Sequence, residues 1–169
     1  MNLQNYIDQG GVIILVLIAI FALGLTIMLW KLLVIIVVRF KRKATSQKYI
    51  EQLPLNSDIS IVELVVHDLM HSLERGLDTI KIIATISPLL GLLGTVIGIY
   101  SAFQGIAQHG LGDPSYFADG ISMAMITTIA GLIVAIPHYI GYNYLTGMMD
   151  KLELLFTQDL YLNIKMNNA

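Results

Sequence analysis

Cysteine is absent from this chain of 169 residues, which excludes disulfide staples, thiol chemistry and cysteine-ligated metal. Charge is missing from three long stretches. Residues 11–30 carry none, Lys81 is the last charge before Asp113, and Asp119 is the last before Asp150. Basic residues are also missing from residues 1–10 and 108–120. No Walker, Rossmann or zinc motif, internal repeat or low-complexity tract is found, so no nucleotide site is expected. The apolar stretches hold no nucleophile with a base, no metal-ligand cluster and no paired carboxylates. An enzyme, a metal, a cofactor and a nucleic-acid partner are therefore all unexpected.

What is present is apolar: 56% of residues are hydrophobic, the net charge is -2 and the mean hydropathy is +0.72. Each uncharged stretch matches or exceeds the roughly 20 residues with which a helix crosses about 30 Å of hydrocarbon. The expectation is an all-α membrane protein with three transmembrane helices over 11–38, 82–107 and 121–147. The ten basic residues, Lys31, Arg39, Lys41, Arg42, Lys43, Lys48, Arg75, Lys81, Lys151 and Lys165, fall on one side of these spans. The positive-inside rule then puts residues 1–10 and the 108–120 loop outside, and 39–81 and 148–169 in the cytoplasm. A cleaved signal peptide is the rival for the first span. Asp8, the lack of a basic residue before it and the length of the apolar run favour a retained helix.

The cytoplasmic segments have their own pattern. Lys31, near the inner end of the first span, can snorkel to the interface without an intramembrane partner. Arg39, Lys41, Arg42 and Lys43 form a membrane anchor at the anionic leaflet, with lipids as partners. Pro54 in Leu53–Asp58 predicts a turn. Ser60 and Glu63 fit a capping box that opens an amphipathic helix, with Val62, Val65, Val66, Leu69, Leu73, Leu77 and Ile80 on its stripe. Leu152, Leu155, Phe156 and Ile164 offer a matching stripe in a C-terminal cytoplasmic helix.

The second and third spans carry faces of small residues: Ser87, Gly91, Gly94, Thr95, Gly98, Ala102 and Gly105 in one, and Gly120, Ala124, Thr127, Thr128, Gly131 and Ala135 in the other. In lipid, small residues and hydroxyls bring helices together through close packing and hydrogen bonds. Packing within one hairpin satisfies this pattern, and so does a homo-oligomer with the hairpins innermost, which is the favoured reading. Thr95 and Thr128 either line a polar path or bond back to carbonyls one turn earlier. Pro88 and Pro137 mark kinks, static or hinged. His138 is the one titratable side chain inside the hairpin spans, and a carbonyl-bonded imidazole is favoured over a proton acceptor there. With no Asp or Glu inside these two spans, proton conduction would need a carboxylate from a partner.

The run Ser87-Pro88-Leu89-Leu90-Gly91-Leu92-Leu93-Gly94-Thr95-Val96-Ile97-Gly98 resembles the second-span motif of the ExbB/TolQ/MotA proton-channel family. Gly120 to Tyr144, with Thr128, Gly131, Ala135-Ile136-Pro137 and Tyr142-Asn143-Tyr144, resembles its third-span motif. The likeness covers about residues 80–165 and is nearest the ExbB branch. It implies a pentamer around two copies of a single-span ExbD/TolR-type partner whose aspartate carries protons. Thr95 and Thr128 would then be the hydroxyls facing the pore. It further implies a Gram-negative inner membrane, with the 1–10 and 108–120 segments in the periplasm and a TonB-like protein as the driven element. A TolQ-like role in envelope integrity and a non-conducting scaffold are the alternatives. Two departures stand out: Met123 replaces the glutamate usual five residues before the third-span threonine, and the cytoplasmic loop is shorter than is typical.

Overall fold

The computed structural model describes residues 3–50, 59–110 and 114–167. They form five helices: α1 (Leu3–Phe40), α2 (Arg42–Ile50), α3 (Ile59–Glu74), α4 (Leu77–His109) and α5 (Ser115–Asn167). Three of these are long and apolar enough to cross a membrane, over Gly10–Phe40, Leu77–His109 and Phe117–Leu162. The chain is an all-α integral membrane protein, as its charge-free stretches predict. The turn expected at Leu53–Asp58, residues Gly112 and Asp113 of the 108–120 loop and the side chain of Ile164 lie outside what is described.

Glycine with positive φ marks three places where helices bend or end. Gly11 (φ 57) breaks the ladder of α1, Gly76 (φ 100) separates α3 from α4, and Gly110 (φ 78) follows α4. At Gly110 the amide donates to the Ile106 carbonyl at 2.8 Å, a left-handed C-terminal cap that a Cβ would strain. Pro88 and Pro137 lie inside α4 and α5, and both helices run on through them. The third span and the C-terminal segment, expected as separate pieces, form the single 53-residue helix α5. No glycine cap or proline after residue 147 stops the ladder. The capping box is also displaced. Helix α3 already includes Ile59, so Ser60 sits inside the first turn instead of preceding it.

Two compact units make up the chain, Met1–Thr26 with Thr79–Gly141, and Ile27–Asp78 with Tyr142–Ala169. In the first, α1, α4 and α5 each give one residue to a core of Leu17, Ile83 and Val134, with Ile13, Ile20, Phe21, Leu90 and Ala130 packed around it. In the second, α3 buries Val62, Val66 and Met70, the last not on the expected stripe, whose Val65, Leu69 and Leu73 are half-buried, and α5 buries Leu145, Met149, Leu152, Phe156 and Leu160. Their spacings of three and four turn one face of each helix inward. Leu155, placed on the stripe from sequence, is only half-buried.

Polar contacts also tie the second unit together. Lys31 Nζ donates to the Leu73 carbonyl at 3.0 Å, taking up one of the carbonyls that the end of α3 leaves without an intrahelical donor. The snorkelling ammonium thus has a protein partner, where the sequence suggested it needed none. Arg42 Nε lies 2.9 Å from Asp159 Oδ2, with both side chains about a quarter exposed. Such a partly solvated pair stabilises by about 1 kcal/mol at most, but it directs Arg42 toward α5, apart from Arg39, Lys41 and Lys43 of the expected anchor.

Candidate functional site

The hairpin of α4 and α5 is built on backbone contact. A Cβ on Gly91 would stand 2.9 Å from the Thr127 carbonyl oxygen and 3.3 Å from the Gly131 Cα, and one on Gly98 would stand 2.7 Å from the Ala124 amide nitrogen. Gly94 abuts the Thr127 side chain. Ser87, Gly91, Gly94, Gly98, Ala102, Gly120, Ala124, Thr127, Gly131 and Ala135 are all buried. This is the packing within one hairpin that the sequence left open. The small residues are consumed there, because each lets the partner backbone approach to a distance no larger side chain allows. Their faces therefore no longer argue for an oligomer. What α4 and α5 leave exposed is bulky and apolar, including Leu92, Val96, Met125, Leu132 and Ile136.

Neighbouring threonines divide the work. Thr127 is fully buried and its hydroxyl is bonded to the Met123 and Ala124 carbonyls at 2.9 and 3.1 Å. Thr128, one residue on and about 100° round the helix, lies half-buried in an open cleft of about 670 Å³ on the same hairpin. Thr95 of α4 lines this cleft too, among Ile99, Phe103, Phe117, Ile121 and Met125. Its two hydroxyls donate to carbonyls of their own helices, Thr95 to Leu92 at 2.6 Å and Thr128 to Ala124 at 3.2 Å. That is the local bonding foreseen as the bland alternative, yet it leaves each oxygen's lone pairs free to accept from a group in the cleft. The two sequence readings of these threonines are therefore compatible. Among the described residues that line the cleft there is no carboxylate.

Met123 is half-buried and its methyl lies toward Gly11 of α1, 3.8 Å from where a Cβ on that glycine would stand. It is not part of the cleft lining. Lacking the carboxylate expected at this position, the chain has an apolar contact to the first helix.

His138 is fully buried, with Nδ1 2.6 Å from the Val134 carbonyl and its ring edge-on to Phe21 at 5.7 Å. This is the carbonyl-bonded imidazole favoured from sequence. Its seat was not foreseen: a Cβ on Gly24 would collide with the His138 ring and stand 2.9 Å from Ile83 Cδ1. The signal was a lone small residue between Leu23 and Leu25. Gly24→Ala should destabilise by roughly 1–3 kcal/mol, the usual penalty for overpacking, and by distinctly less in a His138→Ala background. Thermal melts of the four combinations measure this coupling, and simple additivity would rule out the seat.

Comparison with known proteins assigns this hairpin. The chain is 44% identical over 90 residues to a biopolymer transport protein ExbB homolog of Methanothermobacter thermautotrophicus, covering 51% of this chain and 32% of that protein. It is 33% identical over 120 residues to the biopolymer transport protein ExbB of Neisseria gonorrhoeae, 70% of this chain and 53% of the relative. It is 34% identical over 92 residues to the Tol-Pal system protein TolQ of Haemophilus influenzae, covering 54% and 40%. The chain thus spans between a third and about half the length of these relatives. A family profile matches residues 35–158, which include α4, the hairpin and most of α5. The chain belongs to the MotA/TolQ/ExbB proton channel family.

Proposed function

We propose that this chain is the multi-copy channel subunit of a proton-driven motor in a Gram-negative inner membrane. The reading is carried by one observation: Thr95 and Thr128, from two different helices, share one apolar cleft that supplies hydroxyl oxygens but no acid. Two acceptor oxygens in an apolar cleft suit the protonated, neutral form of a carboxyl group, which has an O–H to donate to them. A single-span partner of the ExbD/TolR type, whose aspartate would sit against these hydroxyls, supplies that group. Pentameric assembly around a partner dimer would turn five such clefts onto one axis, and inward proton flow would drive motion that a TonB-like protein transmits to outer-membrane uptake. The basic residues gathered at one side of the spans support an outer N-terminus and a cytoplasmic C-terminus. The likeness to TolQ favours a second reading within the same class, a subunit for envelope integrity. No enzymatic step is assigned to the chain.

The test is co-reconstitution with a single-span partner of the ExbD/TolR type. Liposomes holding both chains should collapse an imposed proton gradient, whereas liposomes holding either alone should not. If the pair assembles and the gradient persists, the chain is a scaffold. Complementation of strains lacking ExbB or TolQ separates the two branches.

A further inference from the structure

Helix α3 lies outside the spans and carries two histidines one turn apart. His67 and His71 are both exposed, and their rings stand edge to face with centroids 6.5 Å apart and planes at 65°. Residues four apart on a helix are neighbours on its surface, so the two imidazoles project from one face of α3. Neither ring has a hydrogen-bond partner among the described residues. The order His67-Asp68-Leu69-Met70-His71 has the spacing with which a helix presents two histidines to zinc.

The charges of this helix favour a cation. Residues 59–74 hold Glu63, Asp68 and Glu74 and no lysine or arginine, the next basic residue being Arg75. All three carboxylates are exposed, and their field raises the local concentration of cations. Glu63 falls four residues before His67 and Glu74 three after His71, on the same stripe of surface. Among the described residues no third histidine or carboxylate completes a ligand set with the pair, so the positions left on a bound ion belong to water.

We propose that His67 and His71 chelate one divalent transition-metal cation of the zinc, copper or nickel kind. Imidazole nitrogen suits these ions, whereas calcium and magnesium take oxygen ligands. Histidine χ2 is a soft torsion, and turning the two rings brings one nitrogen of each to the about 2.0–2.1 Å at which zinc is held. Two bonds to one helix close a ring across a single turn, so the ion braces α3 from 67 to 71. That turn ends two residues before Leu73, whose carbonyl accepts from the Lys31 ammonium at 3.0 Å; the brace supports the place where α1 is fastened to α3. The expectation of no metal was drawn from the apolar spans, and this pair lies outside them. The site uses none of the residues of the Thr95–Thr128 cleft, so it does not depend on proton conduction, and no reaction is assigned to it.

Isothermal titration of the full chain, solubilised and free of any affinity tag, with Zn²⁺ tests the proposal. One ion per chain should bind, Mg²⁺ should not, and Cu²⁺ in its place should show two coordinated imidazole nitrogens by electron paramagnetic resonance. His67→Gln and His71→Gln should each weaken Zn²⁺ binding by roughly tenfold or more, because loss even of a group that only orients a ligand costs about 10–100-fold. The sharpest variant exchanges two neighbours, His71→Ser with Ser72→His. Residue 72 is exposed and its hydroxyl donates only within its own helix, to the Leu69 carbonyl, so the exchange keeps fold, composition and charge. It sets the imidazoles five residues apart, about 140° round the helix, and should bind as weakly as the single variants. His109→Gln should bind as the wild type does, and Glu63→Gln with Glu74→Gln should lose much less than tenfold. Saturating Zn²⁺ should raise the melting temperature of the wild type and leave that of the exchange variant unchanged. Undiminished binding by the exchange variant would reduce the pair to scattered surface histidines and overturn the proposal. So would half an ion per chain, which would place the metal between two copies, or a wild-type melt that Zn²⁺ does not shift.

Discussion

Gly131→Val should lower the melting temperature of the folded protein steeply. A Cβ at this position would stand 2.6 Å from the Ser87 carbonyl oxygen, 3.1 Å from the Gly91 Cα and 3.2 Å from the Gly91 nitrogen. All three atoms are backbone of α4, so no rotamer change relieves the clash and the two helices must separate. Separation loses the contacts at Gly91, Gly94 and Gly98 together, because the helices are rigid and share one interface. The penalty is roughly 3 kcal/mol, at the upper end for overpacking, against a typical total stability of about 5–15 kcal/mol. Gly147→Val is the matched control: nothing lies within 4 Å of its Cβ position, and the same valine should there be nearly silent. Membrane levels and melting of the solubilised variants decide the matter. Equal behaviour of the two would mean that α4 and α5 do not pack as described.

Thr95→Val and Thr128→Val should each cut partner-dependent proton flux while leaving the fold intact. Valine matches threonine in shape, and each hydroxyl donates only to a carbonyl of its own helix, so little stability is at stake. What is lost is an acceptor facing the cleft. A hydrogen bond accepted from a neutral carboxylic acid is worth roughly 0.5–1.5 kcal/mol, which corresponds to a flux reduced about two- to tenfold. Thr127→Val provides the contrast, because its hydroxyl is buried against Gly94 and both its bonds run to carbonyls of α5. That variant should conduct as the wild type does. Flux unchanged in Thr95→Val and Thr128→Val, measured in co-reconstituted liposomes, would remove the cleft from the path.

These contrasts show where sequence reading stops. Thr127 and Thr128 are neighbours about 100° apart on α5, and only packing tells which one is consumed: Gly94 abuts the first, and the second is left at the cleft. Small residues at intervals of three and four announced that α4 and α5 needed a partner without saying which. The answer is each other, since a hairpin's two helices meet at no loss of association entropy whereas another copy must be recruited. Gly24 marked a place for close approach, but not that His138 would fill it, because the pairing joins residues more than a hundred positions apart. The Lys31 bond to the Leu73 carbonyl escaped for the same reason.

Sequence alone determined that this is a helical membrane protein with three spans, a polarity of basic residues and two motifs of the MotA/TolQ/ExbB kind. Hydrophobic run length and the energy of placing charge in hydrocarbon depend on composition along the chain, not on how it folds back. Tertiary structure decided which small residues are consumed by packing and which hydroxyls remain at a cleft. Those outcomes depend on distances between segments remote in sequence, and one-dimensional periodicity carries no information about them.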